Sequence, residues 1–301
     1  MMWLAGLYLA TGLPAALAET VDVLPADPAD GSGIVGIISI LLLAACIYCI
    51  SWIVQKRSND QRVFPPAPLP KPKCRGIDIW IVFGVYLVAP AFVFIILDIR
   101  DMRGILLASN LVHLSSVGLL IYLIHWRGQN PLRALGLKID GLAGQIGPGL
   151  ATFLAFMPVL IGFNIGWRML LNWFVGPDAA LARQDVVQRF TETPDPAVAW
   201  QIAISAVIVA PIVEEVLFRG LLYGFIRRWI KPWLAMALIG LLFGALHPPL
   251  AIFLPISIFG VFLCLAYEKT GNLLVPIGIH ALFNLGSTAF MFSERLAGVI
   301  G

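Results

Sequence analysis

Five ionisable side chains stand out because they lie inside long apolar stretches of the sequence. Glu214, Glu215 and Arg219 belong to one stretch, His247 ends the next, and His280 lies in the last. Burying such groups in a membrane-spanning segment is costly, so each is a candidate functional residue. All five fall within 67 residues of one another. This concentration favours a single functional site over scattered structural roles.

The spacing of these residues indicates which of them share a helix face. Glu215 and Arg219 are four residues apart, so they can form an ion pair that we interpret as structural. Glu214 is rotated by about 100° from Glu215 and is free for another task. His280 and Asn284 are also four residues apart, which directs an imidazole and a carboxamide toward one point.

These residue types suit the hydrolysis of an amide bond. Glu214 would act as a general base on water, and His247 would help to hold and polarise that water. His280 and Asn284 can donate hydrogen bonds to a developing oxyanion. No Ser-His-Asp or Cys-His arrangement is evident in the sequence, which disfavours a covalent acyl-enzyme.

A metal centre is the alternative chemistry. Two histidines and one carboxylate form a known zinc set, and Glu214, His247 and His280 would supply it. The metalloprotease sequence H-E-x-x-H is absent. We therefore expect no cofactor, with zinc held by these three residues as the alternative.

The composition indicates what kind of molecule positions these residues. Of the 301 residues, 59% are hydrophobic and 12% are charged, against about 25% charged in soluble domains. This predicts an all-α, polytopic bundle of about eight membrane helices in contact with membrane lipids. The chemistry of amide hydrolysis adds a peptide or membrane protein as the expected partner. No basic patch interleaved with aromatic residues is present, so we expect no nucleic-acid partner. The expected spans are roughly 34–54, 77–97, 104–125, 142–165, 197–218, 233–247, 250–267 and 273–292.

The distribution of lysine and arginine predicts the orientation of the bundle. One set of connecting segments holds 13 of these residues and the opposite set holds 6. The positive-inside rule assigns the richer set to the cytoplasm. Glu214, His247 and His280 lie about 12–22 Å along their helices from that side. We therefore expect one cavity that opens toward the cytoplasm, in a protein of the bacterial inner (plasma) membrane.

The chain divides into four regions. Residues 1–18 are apolar and end in a small-x-small pattern, which predicts a cleaved signal peptide or an anchor. Residues 19–139 should form N-terminal membrane helices, with the proline-rich segment 64–72 as an extended cytoplasmic spacer. Residues 140–292 form the core that carries the candidate site, and residues 293–301 form a short tail.

Two further expectations concern residues outside the candidate site. Residues 166–196 contain tryptophans followed by a polar stretch with spaced apolar residues, which predicts an interfacial helix on the outer leaflet. His113 is isolated in an earlier span, and we interpret it as a packing residue.

Three motifs in the core resemble those of the CAAX prenyl endopeptidases and bacteriocin-processing proteins, the CPBP or Abi family. The family motifs are E-E-x-x-x-R, F-x-x-x-H and H-x-x-x-N/D. They occur here in that order at residues 214–219, 243–247 and 280–284. Each motif alone is weak, but three in order on membrane spans are specific.

The resemblance extends over about residues 140–292 and implies a function for each motif. It implies that Glu214 and His247 activate water, that His280 and Asn284 form the oxyanion hole, and that Glu215 and Arg219 support the site. It also favours a metal-independent glutamate mechanism. The expected function is an intramembrane endopeptidase similar to the CAAX prenyl endopeptidases. The alternatives are a catalytically silent membrane scaffold, a bacteriocin self-immunity protein and, less favoured because its ionisable residues form one cluster, a proton-coupled transporter.

Overall fold

The computed structural model describes residues 32–59, 61, 63–64, 68–182, 184–193 and 195–300. In these residues the chain forms helices joined by short connections, and no strand is present. The predicted signal peptide or anchor at 1–18 lies outside the described residues. The helices are α1 Ser32–Ser58, α2 Gly76–Ile96, α3 Met102–Trp126, α4 Pro131–Leu135, α5 Ala143–Phe174, α6 Pro177–Leu181, α7 Asp185–Glu192, α8 Pro196–Ile226, α9 Pro232–Ala245, α10 Leu250–Thr270 and α11 Leu274–Ile300.

Six of the described helices are long and apolar enough to cross a bilayer: α2, α3, α5, α8, α10 and α11. Helix α9 is apolar but has only 14 residues. The all-α, multi-pass membrane architecture predicted from composition is confirmed, whereas the count of about eight membrane helices is not. Helix α11 also continues to Ile300, through residues expected to form a tail, because no proline follows Pro276 in its first turn.

Exposed tryptophans mark both ends of the bundle. Trp80, Trp126 and Trp229 are exposed near one end, and Trp173 and Trp200 are exposed near the other. Tryptophan is enriched at both membrane–water interfaces, and the surface between these two levels is rich in exposed isoleucine and leucine. This distribution is that of a bundle whose flanks face lipid.

The two ends of the bundle are built from different segments. We call the end formed by residues 68–75, 127–138, 227–231 and 269–273 the basic end. The ion pair between Asp78 and Arg127, with 2.6 Å between Oδ1 and Nη2, joins α2 to α3 there. We call the opposite end the Asp195 end. It is formed by residues 97–101, 175–182, 184–193, 195 and 246–249.

The proline-rich segment packs into the basic end rather than acting as a free spacer. Burial alternates from Pro70 to Cys74: Pro70, Pro72 and Cys74 are buried, whereas Lys71 and Lys73 are exposed. A period of two is typical of an extended chain with one face on a core. Burial raises the pKa of the Cys74 thiol to about 11. This packing was not predictable from the sequence, because proline-rich composition is typical of both linkers and extended packed segments.

The predicted interfacial helix at 166–196 is partly wrong. Residues 166–174 continue α5, because no proline or glycine interrupts that helix between Trp167 and Phe174. The polar stretch forms the short helices α6 and α7 instead. Phe190 of α7 is fully buried against a cluster that includes Val198 and Met291. Helix α7 therefore packs on the protein as well as lying at its end.

Helices α9 and α10 form a closely packed hairpin that sets the position of His247. A Cβ built on Gly240 would lie 2.6 Å from the Ser257 carbonyl oxygen, and one on Gly244 would lie 2.6 Å from the Phe253 carbonyl oxygen. Only glycine permits this approach of two backbones. His247 follows directly, at the turn between the two helices.

Candidate active site

Helix α8 carries Glu214 on a short α-helical stretch between two π-helical segments, Ser205–Val209 and Val216–Tyr223. The amide of Ala210 donates to the Ser205 carbonyl, five residues back. Pro211 has no N–H, so the Ala206 carbonyl lacks its donor in this register. The Asn284 carboxamide fills that gap, with 2.7 Å between its Nδ2 and the Ala206 oxygen. A local irregularity of α8 thus fixes the position of Asn284 on α11.

Glu215 and Arg219 form the fully buried ion pair that the spacing predicts. Arg219 Nη1 donates to Glu215 Oε1 at 2.8 Å, and Nη2 donates to the Gly260 carbonyl at 3.0 Å. Glu215 Oε1 is also 2.8 Å from Nδ1 of His280. The Glu215 carboxylate therefore links α8 to two other helices. It holds the Arg219 guanidinium, which reaches α10, and it contacts the His280 imidazole on α11. The bond to His280 was not anticipated from the sequence.

Aromatic rings enclose this charged cluster. The Arg219 guanidinium carbon is 4.5 Å from the centroid of the Phe243 ring, within the range of a cation–π contact. The His280 ring lies edge-on to Phe243 at 5.9 Å and to Phe259 at 5.7 Å between centroids. Apolar walls of this kind strengthen the interactions between the charges inside them.

Glu214, His247 and His280 bring three polar atoms together. Glu214 Oε2 is 3.8 Å from His247 Nε2 and 3.9 Å from His280 Nε2. This oxygen is buried, and no described residue hydrogen-bonds to it. Nδ1 of His247 is 2.6 Å from the Phe243 carbonyl, which can only accept, so this nitrogen carries a proton and Nε2 faces Glu214.

A cavity of about 350 Å³ contains Glu214, His247, His280 and Asn284. Glu215 and Arg219 lie outside it, because Glu215 points into the core. His113 also lines the cavity, with its ring centroid 4.8 Å from that of Tyr86, so its interpretation as a plain packing residue does not account for its position. Helical spacing could have identified two further wall residues: Asn110 lies three residues before His113, and Thr288 continues the four-residue series of His280 and Asn284.

The cavity extends from Glu214 to the Asp195 end, where Leu106 and Gln184 line it. This is the end opposite the one expected from the sequence, and the opening toward the cytoplasm stays a prediction. Buried side chains of α8 fill the space on that side: Leu217, Phe218 and Leu221 are at most 1% exposed. Helix periodicity predicted the depth of the site but not which side of it is filled.

Glu214, His247 and His280 have side chains that can bind a metal, but their donor atoms are too far apart for zinc. Both histidines have Nδ1 bonded to an oxygen and Nε2 directed at Glu214, an arrangement common around zinc. Bonds of about 2.0–2.1 Å in a tetrahedron require donor atoms about 3.3 Å apart, whereas the two measured separations are 3.8 and 3.9 Å. In the described part of the chain, no set of three His, Cys, Asp or Glu side chains has metal-binding geometry.

Comparison with known proteins agrees with this fold and site. The helices define a multi-pass membrane protein, and the buried polar cluster lies among them. Residues 196–286 match the family model described as "Type II CAAX prenyl endopeptidase Rce1-like". This segment of the chain is thus similar to that family, which confirms the CPBP resemblance. No curated protein and no solved structure gives a significant match. The matched segment begins with α8 and includes all three motifs.

Proposed function

We propose that this protein is an intramembrane endopeptidase that uses Glu214 to activate water. The observation that carries the proposal is the convergence of Glu214 Oε2, His247 Nε2 and His280 Nε2 in one cavity, within the segment that matches a CAAX prenyl endopeptidase model. The family match supports a protease-like function, and the geometry supports the division of labour described next.

Glu214 and His247 present two acceptors that one water molecule can bridge. The separation of 3.8 Å between Glu214 Oε2 and His247 Nε2 is too long for a direct hydrogen bond. A water that donates one proton to each atom keeps a lone pair free for attack on a carbonyl carbon. Glu214 then removes the proton as the new C–O bond forms.

Protonated His280 is proposed as one donor to the oxyanion. With His280 as an imidazolium, the buried cluster contains two carboxylates, Glu214 and Glu215, and two cations, Arg219 and His280. The cluster is then neutral, which reduces the cost of burying it. Nδ1–H donates to Glu215, and Nε2–H faces the cavity. The Asn284 carboxamide has a second N–H besides the one bonded to Ala206, and this supplies the other donor.

The reaction balances without a cofactor. Water adds to the scissile carbonyl, Glu214 accepts one proton, and negative charge on the carbonyl oxygen is stabilised by His280 and Asn284. Glu214 then delivers that proton to the leaving nitrogen, and the C–N bond breaks. The products are a new carboxyl group, which keeps the second proton of the water, and a new amine.

The test compares two isosteric substitutions. Glu214→Gln keeps the volume and polarity of the side chain but removes the base, so cleavage should fall to near background while thermal stability is retained. Glu268→Gln makes the same chemical change at the basic end, where Glu268 pairs with Tyr223 and Arg227, and should retain cleavage. Membrane proteins that accumulate uncut in the Glu214→Gln strain identify the substrates. Wild-type cleavage by purified Glu214→Gln protein would overturn the proposal.

The same preparations separate the metal-independent mechanism from the zinc alternative. We expect chelators to leave turnover of the purified protein nearly unchanged. Stoichiometric zinc whose removal abolishes cleavage would instead assign Glu214, His247 and His280 as ligands. A protein that cleaves nothing, in which Glu214→Gln leaves the membrane proteome unchanged, would favour the catalytically silent scaffold.

A further inference from the structure

The cavity follows one face of α11 from the candidate site to the Asp195 end. His280, Asn284 and Thr288 succeed one another at intervals of four residues, and Met291 lies near the far limit. Met291 lies eleven positions after His280, which corresponds to about 17 Å of helix. This length accommodates about five residues of an extended peptide, at about 3.3 Å per residue.

The wall of the cavity offers hydrogen-bonding groups beyond the proposed catalytic set. Thr288 is only 4% exposed, and its Oγ1 is buried without a hydrogen-bond partner among the described residues. A buried hydroxyl without a partner costs about 1–3 kcal/mol. Across the cavity, Asn110 donates to the Ser205 hydroxyl at 2.6 Å. A hydroxyl that both donates and accepts suits the backbone of a peptide, which presents C=O and N–H groups.

The basic end offers no comparable route to Glu214 through the described residues. Leu135 and Leu273 are fully buried there, and the extended segment that contains Pro70 and Pro72 packs across the same end. Arg228 holds that segment through a hydrogen bond to the Pro72 carbonyl. A peptide entering from this end would have to displace the core.

We propose that the substrate is a polypeptide segment that reaches Glu214 from the Asp195 end in an extended conformation, with Thr288 as a positioning residue that binds its backbone. This inference rests on the proposed endopeptidase function. The basic end holds ten lysines and arginines, whereas the Asp195 end holds two, Arg100 and Arg189, so the positive-inside rule makes the Asp195 end the extracytoplasmic one. The substrate class is therefore an exported peptide or an extracytoplasmic segment of a membrane protein, rather than a lipidated cytoplasmic C-terminus.

Accessibility of introduced cysteines tests the route without depending on catalysis. The four native cysteines are buried, so the wild-type chain provides the blank. Thr288→Cys and Ser109→Cys place thiols in the cavity, and Lys71→Cys places one on the exposed face of the basic end. A membrane-impermeant, charged methanethiosulfonate is applied to intact bacterial cells and to inverted membrane vesicles. The labelling is repeated in the Glu214→Gln background.

We expect both cavity cysteines to react at least about tenfold faster in intact cells than in inverted vesicles, and Lys71→Cys to show the opposite preference. Reaction of the cavity cysteines and Lys71→Cys from the same side would overturn the route, as would failure of both cavity cysteines to react from either side. Either result is independent of whether Glu214→Gln abolishes cleavage, so the route and the proposed function can fail separately.

A second measurement tests the role of Thr288 and the substrate class. On a protein that accumulates uncut in the Glu214→Gln strain, Thr288→Val should raise KM by about 2–10-fold with little change in kcat, because one backbone hydrogen bond is lost. Thr288→Ser should restore KM. Unchanged KM, or cut sites that map to cytoplasmic segments, would contradict the proposal.

Discussion

At the basic end, side chains tie segments together, whereas at the Asp195 end they surround a cavity. Asn272 is buried at the basic end, where its Nδ2 donates to the Lys138 carbonyl at 2.9 Å and to Gln145 Oε1 at 3.0 Å. At the other end the ion pair of Arg103 and Asp195 has an Arg side chain that is 59% exposed. The same membrane helices run between the two ends.

This difference suits the proposed hydrolysis of peptides within a bilayer. The proposed base and oxyanion donors must be held rigidly, and a packed end provides that support. Water and substrate must nevertheless reach them, which requires an end that is not filled. The motif residues lie between the two regions: Arg219 and Glu215 face the packed side, and Glu214 and Asn284 face the cavity.

Arg219→Ala should give the largest loss of stability. It removes the cation between Glu215 and Gly260 and leaves Glu215 as a buried carboxylate paired only with His280, a loss of about 3–5 kcal/mol. The measurement is thermal unfolding in detergent, with Arg133→Ala, an exposed arginine of the basic end, as the control. A stable but inactive Arg219→Ala protein would show that Arg219 acts in catalysis rather than in stabilising the fold.

Asn284→Ala should reduce turnover strongly and stability weakly. Loss of one oxyanion donor should reduce kcat by about 10²–10³-fold, which corresponds to about 3–4 kcal/mol of transition-state stabilisation. The lost bond to the Ala206 carbonyl costs about 0.5–1.5 kcal/mol of stability. Turnover per folded molecule and the unfolding midpoint are measured on the same preparation. If the free energy of unfolding falls by more than the activation free energy of cleavage rises, Asn284 has a mainly structural role, like the buried residues of the basic end.

One substitution made at both ends tests the comparison directly. Leu135→Ala at the basic end should cost about 2–5 kcal/mol, because Leu135 is fully buried in the main core. Leu106→Ala at the Asp195 end should cost less than about half as much, since the space it leaves joins the existing cavity. Denaturant unfolding of both variants gives the two values. Equal losses would show that the Asp195 end is as tightly packed as the basic end.

Arg103→Ala should have the smallest effect. The Arg103 guanidinium, which hydrogen-bonds to Asp195, lowers the pKa of that carboxyl. The pair therefore stabilises the fold above the unfolded pKa of aspartate and loses this contribution as pH falls through the lower folded pKa. Exposed pairs contribute little, so melting temperatures of variant and wild type should differ slightly near neutral pH and converge in acid. A large difference at neutral pH would indicate that this end is more rigid than its exposure suggests.

The sequence by itself identified the residues and the faces on which they lie. A span with few ionisable groups makes each one conspicuous, and a four-residue interval on a helix fixes a shared face, so the ion pair of Glu215 and Arg219 was predictable. Composition was likewise enough for the all-α membrane architecture, because no soluble surface can be built from it. The assigned catalytic roles, the membrane orientation and the cleavage of residues 1–18 remain predictions.

Tertiary structure alone decided what covers each face. The bond from Glu215 to His280, the use of the free Ala206 carbonyl by Asn284 and the packing of Pro70 and Pro72 all join segments far apart in sequence. Helical periodicity specifies the direction of a side chain within its own helix, but not which neighbouring helix lies there. For the same reason the depth of the candidate site followed from the sequence, whereas the end at which its cavity opens followed only from the packing of the surrounding helices.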